Sequence, residues 1–356
     1  MENRKIGIFQ SGVFTFFLTR CFLITGIIPL ILNLTKESSL ISIFIGTIIG
    51  LLPLSIICIL RKVQKDKNIF EFIDYLFPKF FSYILKIIIL ITCLFFSCFL
   101  LSNIASYINI HFLKDSSFFI ILITITLTIY ILSNKKMEAV ARSAEILFYL
   151  FCLLFILTLL GLIPITSPNF LLPLFQNNYL ETFKGSIFYS LSSFLPLFLL
   201  TIIPQDKVNN SKNLKKTTYI SYILASFSVF ILLILIIGAL GIDLASYYSY
   251  SEIAVLKKVS YFNFIERVEG ILSIQWLLDI TVSLSILFQT IKLGLSSYKL
   301  PKTKIFYILS LLTLVFLSNR LSFSLNKLLL VLFITFFLIS ILTLLQNSFS
   351  KIKNKT

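Results

Sequence analysis

The stretch ILKIIILITCLFFSCFLL at residues 84–101 decides the architecture. It is apolar for the length of a bilayer crossing, which takes about 20 residues of helix for ~30 Å of hydrocarbon. A membrane β-barrel strand would instead alternate apolar and polar positions over roughly ten residues, and this stretch does not alternate. Runs of the same kind recur from Phe14 to Leu345 almost without pause. Of 356 residues, 58% are hydrophobic and 13% charged, more apolar surface than a soluble core can hide. The chain is therefore expected to be an all-α, polytopic membrane protein with lipid as its solvent.

Apolar runs set against polar breaks give about ten spans, near 10–33, 39–60, 80–110, 117–133, 139–165, 183–203, 217–242, 264–295, 304–320 and 325–346. No room is left for a soluble domain, so residues 1–356 read as one transmembrane domain. No cleavable signal peptide is evident, and the first run reads as a permanent span. With the N-terminus placed in the cytoplasm, the inner loops and tails hold 18 Lys and Arg against 5 outside, the positive-inside bias, which puts both termini in the cytoplasm. The net charge of +16 is thus spread between apolar runs and reports topology, not nucleic-acid binding. The five cysteines lie inside apolar runs without metal-ligand spacing and read as small packing residues.

Ten spans split into two sets of five, repeat one over about 10–165 and repeat two over about 183–346. An odd number per set makes the second enter from the opposite side, an inverted repeat. The first helix of each half carries a breaker: TGIIP at residues 25–29 and SLSSFLP at residues 190–196. Matched breaks in equivalent helices point to a midplane site for a small polar ligand, with Thr25, Gly26, Ile27, Ser192, Ser193 and Phe194 as the contacts. The plainer reading is that both motifs only kink their helices. Bulk added at Gly26 or Ser193 should separate the two.

Arg20 falls near the middle of the first span, where a charge must face the bundle interior. It serves either a ligand or coupling ion beside the break, or a structural pair with an acid such as Glu145 or Asp279. Its removal should leave membrane insertion intact or improve it. Arg142 and Glu145 lie one turn apart and suit a local pair. Glu266, Arg267 and Glu269 open the eighth span, and Trp276 and Asp279 lie deeper, followed by Ser283, Ser285 and Gln289. NIFEFIDYLFPKF at residues 68–80 reads as an amphipathic helix in the cytoplasmic interface, and the tyrosine-rich residues 245–270 as an outer surface helix over the pore mouth. No nucleophile with a base, phosphate loop or metal cluster is visible, so neither catalysis nor a cofactor has a candidate.

FLTRCFLITGIIPL, NIFEFIDYLFPKFF, NKKMEAVARSAEILF and FIERVEGILSIQWLLDITVSLSILF, in that order, resemble the spore germination permease family, the B-type subunits of bacterial nutrient germinant receptors. The resemblance implies an amino acid–polyamine–organocation superfamily fold, ten helices as a 5+5 inverted repeat. It also implies a subunit that senses a small nutrient, often an amino acid, beside an A-type membrane subunit and a C-type lipoprotein in the spore inner membrane. By position, Arg20 with residues 25–27 matches the family's first-helix motif, Arg142 and Glu145 its fifth and Arg267 with Trp276 its eighth. Where relatives tend to place Gly-Glu in the sixth helix, this chain has Leu195 and Pro196. A proton- or cation-coupled amino acid transporter of the same fold, in the cell membrane, is the alternative, and an assembly subunit without ligand the third reading.

Overall fold

The computed structural model describes residues 5–172, 179–248, 250–257, 269–298, 303–320 and 324–353. The described residues form helices and connecting turns: α1 Ile8–Arg20, α2 Ile27–Thr35, α3 Ser39–Gln64, α4 Ile69–Leu76, α5 Lys79–His111, α6 Phe118–Ser133, α7 Met137–Leu162, α8 Tyr179–Phe194, α9 Leu214–Leu240, α10 Ile242–Tyr247, α11 Ser251–Leu256, α12 Glu269–Ser297, α13 Thr303–Arg320, α14 Leu325–Leu332 and α15 Leu338–Lys353. No strand occurs among them. A single parallel bridge ties Ile6 to Val208, with Ile6 N–H donating to Lys207 O at 2.8 Å and Asn209 N–H to Ile6 O at 2.9 Å.

Seven helical runs among the described residues are long and apolar enough to cross a membrane, and α6 is a shorter apolar helix. The chain is an integral membrane protein. Burial sorts these runs. The most apolar windows of Tyr179–Ile202 and Ser273–Ser297 are each 83% buried and are the least hydropathic of the seven, whereas that of Met137–Ile165 is 28% buried. A helix enclosed by other helices is not selected for contact with lipid, so it can carry the serines, glutamine and aspartate that α8 and α12 contain. Around these two pack α1, α3, α5, α7 and α9, the most extensive pairing being α3 on α8.

Sequence chemistry explains the helix ends. Asn68 caps α4 in a reciprocal box, accepting from Glu71 N–H at 3.0 Å while Glu71 Oε2 accepts from Asn68 N–H at 3.1 Å. The amphipathic helix expected over residues 68–80 is therefore present, shortened by Pro78. Its apolar face, Ile69, Phe70, Phe72, Ile73 and Leu76, is buried against α5, α12, α15 and residues 195–202, not turned outward. Asp74 on this helix pairs with Lys86 of α5 at 2.9 Å, a cation that also meets the adjoining rings of Tyr298 and Tyr83 at 4.7 and 5.0 Å. The tyrosine-rich stretch, in place of one surface helix, forms the two short helices α10 and α11 as far as Lys257, and the rest of it lies outside the described residues. Ala245, Ile253, Val255 and Leu256 are buried on α2, α9 and α12, while Tyr247 is 83% exposed, so α10 and α11 close that end of the bundle.

Candidate functional site

The first break lies between α1 and α2, over residues 21–26. α1 stops at Arg20, a 3-10 turn covers Leu23–Thr25, and Gly26 at φ 81° restarts the chain as α2. A side chain at that dihedral costs roughly 1–2 kcal/mol, which is why glycine stands there. Pro29 falls in the first turn of α2, where its missing N–H is not needed. The TGIIP stretch thus ends one helix and starts another. One consequence is that Gly26→Val would strain the backbone as well as fill space, so it does not isolate a ligand site.

The second break differs. α8 passes at Phe194 directly into a 3-10 helix over Leu195–Ile202, with Pro196 at its second position, instead of opening into extended backbone. Ser192 and Ser193 hydroxyls donate to Tyr189 O at 2.8 Å and Ser190 O at 2.9 Å, taking up carbonyls that the change of winding frees. Eight residues is long for a 3-10 run, a winding with poorer hydrogen bonds. All eight side chains are buried, and Phe198 stacks on Phe336 at 4.6 Å, within the π-helical turn Phe333–Phe337 that joins α14 to α15. Phe194 meets Phe337 at 5.7 Å.

Arg20 lies at the first break and is buried. Its Nε sits 3.3 Å from both carboxylate oxygens of Asp279 on α12, its Nη1 donates to Ser228 on α9, and its guanidinium lies 4.5 Å over the Phe151 ring of α7. Phe16 flanks it at 5.5 Å. Arg20 Nη2 alone has no partner. Of the two acids open to it, Asp279 is the partner. Glu145 instead accepts from Gln10 Nε2 at 2.8 Å, and Gln10 Oε1 accepts from Gly7 N–H at 2.9 Å, so Glu145 fixes the start of α1. Ten residues of α1 separate Gln10 from Arg20, about 15 Å of helix. No ion pair joins Glu145 to Arg142, against the local pair its spacing suggests.

The break residues flank this centre: α2 packs along α8, and α1 against both α8 and the 3-10 run. Ile27, Ser192, Ser193 and Phe194 are buried, Thr25 and Gly26 half-buried. Arg267 lies outside the described residues. Trp276 is buried at the α10 and α11 end, its ring 5.2 Å from Tyr107 and 6.0 Å from Tyr250.

Sequence reasoning missed a polar belt on the other side of Arg20. Tyr189 and Ser190 of α8, Tyr222 and Ser226 of α9 and Thr47 of α3 converge where Gly46 and Gly50 bring α3 close. Tyr222 hydroxyl lies 3.0 Å from Ser193 Oγ and 3.4 Å from Thr47 O. Tyr189 Oη and Ser226 Oγ, both buried, approach each other but make no well-formed hydrogen bond. The available signal was GTIIG at residues 46–50, a G-x-x-x-G spacing in an apolar run. Glu252 of α11 was also missed. It is buried with Oε1 unpartnered, and burial pushes its carboxyl up to about 7.

Compared with known families, residues 10–323 match the family model described as spore germination protein. The chain belongs to that family. The match takes in the first break, the Arg20–Asp279 pair, the polar belt and α12 alike, so the buried centre lies wholly within the family's shared region. A comparison with curated proteins gives no match. Membership makes this a germination-related membrane protein.

Proposed function

We propose that the chain is the membrane subunit of a spore nutrient germinant receptor, in which a small nutrient, best an amino acid, binds beside Arg20 and shifts the helices. What supports this is the unfilled side of Arg20. A buried guanidinium with a free Nη2 lies near buried hydroxyls, Tyr189 Oη and Ser226 Oγ, that approach each other without a well-formed hydrogen bond. Unpaired buried polar groups are costly, and a carboxylate with an ammonium or hydroxyl beside it would satisfy such a set. The surrounding segments are closed, so binding would select an opened arrangement of α1, α8 and the 3-10 run, and that shift would carry the signal. On this reading an A-type membrane subunit and a C-type lipoprotein receive it in the spore inner membrane.

The same proposal takes α1 with α2 as one crossing and α8 with residues 195–202 as another. With α3, α5, α6 and α7 in the first half, and α9, α12, α13 and α14 with α15 in the second, the bundle is ten helices as a 5+5 inverted repeat with both termini cytoplasmic. Reporter fusions at Gln64, Asn210 and Lys353 should read cytoplasmic and fusions at Glu37, Asp115 and Asn177 external. Reversal at two or more of these sites would end the inverted-repeat reading.

Binding itself is tested with purified protein and a panel of amino acids, sugars and nucleosides, since a ligand raises the unfolding midpoint by mass action. Tyr189→Phe is the informative variant, because it removes only a hydroxyl that makes no well-formed hydrogen bond. Without ligand its stability should hold, or rise by about 1 kcal/mol. The concentration of nutrient needed for stabilisation should rise about tenfold. A stable Tyr189→Phe with unchanged nutrient dependence would remove Tyr189 from the site. Uptake of labelled ligand into vesicles by wild type would favour the coupled transporter instead, and no stabilisation by any compound would favour an assembly role.

A further inference from the structure

At the end of the bundle carrying Gln64 and Leu214, a cavity of about 490 Å³ opens between α3, α9 and the loop after residue 204. Arg61, Lys62, Lys212 and Lys215 line it, together with Gln205 and Ser211, and no carboxylate does. The three lysines are exposed, whereas Arg61 is 2% exposed. All three nitrogens of its guanidinium lack a hydrogen-bond partner, and so do both amide atoms of Gln64 one turn along. The first turn of α9 reaches the same cavity through Leu214 and Lys215, and no side chain caps that helix.

The positive-inside bias accounts for solvated lysines at a helix end, but it does not require burying a guanidinium away from every acceptor. An ionised group buried without a partner costs several kcal/mol, so an arginine in this position calls for an anion. A planar fork at the base, mobile ammonium groups at the mouth and the positive end of a 27-residue helix fit a tetrahedral oxyanion with several acceptor oxygens. Ile59, 46% exposed, lines the same cavity, leaving room for an apolar chain to run beside the anion.

We propose that this cavity is a phosphate-binding site with Arg61 as its anchor, taking either the phosphate of an anionic lipid headgroup or a free phosphate. It is separate from the Arg20 centre and independent of what that centre binds. The test uses the full chain in phosphatidylcholine nanodiscs, in the same nanodiscs with added inorganic phosphate or pyrophosphate, and in nanodiscs containing phosphatidylglycerol, with the thermal midpoint as readout. Wild type should be stabilised by at least one addition, and the arm that responds names the source. Arg61→Gln should weaken that response about tenfold or more. In plain phosphatidylcholine it should be no less stable than wild type, because it removes an uncompensated charge. Arg61→Lys, with its charge but not its fork, should fall between the two, and Lys136→Gln, on the same face but outside the cavity, should respond as wild type. Wild type unmoved by every addition, or Arg61→Gln stabilised as fully as wild type, would overturn the site. So would an Arg61→Gln that is less stable than wild type in phosphatidylcholine alone, since that would make Arg61 a packing residue.

Discussion

Arg20→Ala should destabilise the protein by about 3–5 kcal/mol, seen as a fall in both thermal midpoint and membrane abundance. The sequence alone argues the opposite, because removing a charge from the bilayer centre relieves a solvation cost. The geometry reverses the sign. The side chains of Arg20 and Asp279 are 0% and 2% exposed, so truncating one leaves the other ionised and alone among helices. Asp279→Leu should be costly for the same reason, with Arg20 then held by Ser228 and the Phe151 and Phe16 rings. Exchanging both for apolar residues of similar volume, Arg20→Met with Asp279→Leu, removes the pair without stranding a charge and should recover most of the lost stability. If the proposed nutrient site is right, germination in response to nutrient should be lost in Arg20→Ala and stay absent in the double variant, since the free Nη2 is gone in both. An Arg20→Ala protein as stable as wild type would mean that the pair contributes nothing. A stable double variant that still germinates normally would make Arg20 structural only.

What the sequence disclosed about this centre follows from locality. The first break was legible because Gly26 and Pro29 each impose a backbone state on their own. That Arg20 faces the bundle interior, toward a ligand or an acid, was legible from depth alone. Which acid was not, because Glu145 and Asp279 are 125 and 259 residues away and only the packing of α1 against α12 decides. At the second break Pro196 announced a change of winding, but the hydroxyls of Ser192 and Ser193 let the chain tighten instead of opening. Arg61 is one of the 18 inner Lys and Arg and was not set apart from them, because burial of a charged residue at a helix end depends on which neighbours cover it. Tyrosines inside apolar runs gave no sign of Tyr189 and Tyr222 meeting, although GTIIG marked the helix against which they meet.

That meeting yields a sharper prediction than any change at the breaks. A β-carbon on Gly50 would lie 2.1 Å from the Tyr222 hydroxyl oxygen and 3.1 Å from Cζ, whereas one on Gly46 would lie 2.6 Å from the backbone oxygen of Ser186. Both positions are overpacked by a single methyl, and Gly50→Ala should cost about 1–3 kcal/mol. The two obstacles differ in kind, since a hydroxyl can be removed and a peptide oxygen cannot. Tyr222→Phe gives up the bonds to Ser193 and Thr47, so alone it should be mildly destabilising, by about 1 kcal/mol. In the Gly50→Ala background the same change clears the space, leaving a tight 3.1 Å contact that small shifts relieve. The double variant should therefore be more stable than Gly50→Ala alone, a coupling of about 1–3 kcal/mol measured by thermal unfolding of all four proteins. Gly46→Ala should show no such rescue by Tyr222→Phe, because α8 itself must move. Gly270→Ala, with nothing within 4 Å of the added carbon, is the control and should unfold as wild type does. Additive effects of Gly50→Ala and Tyr222→Phe would show that α3 and α9 do not approach this closely, and the polar belt beside Arg20 would lose its wall.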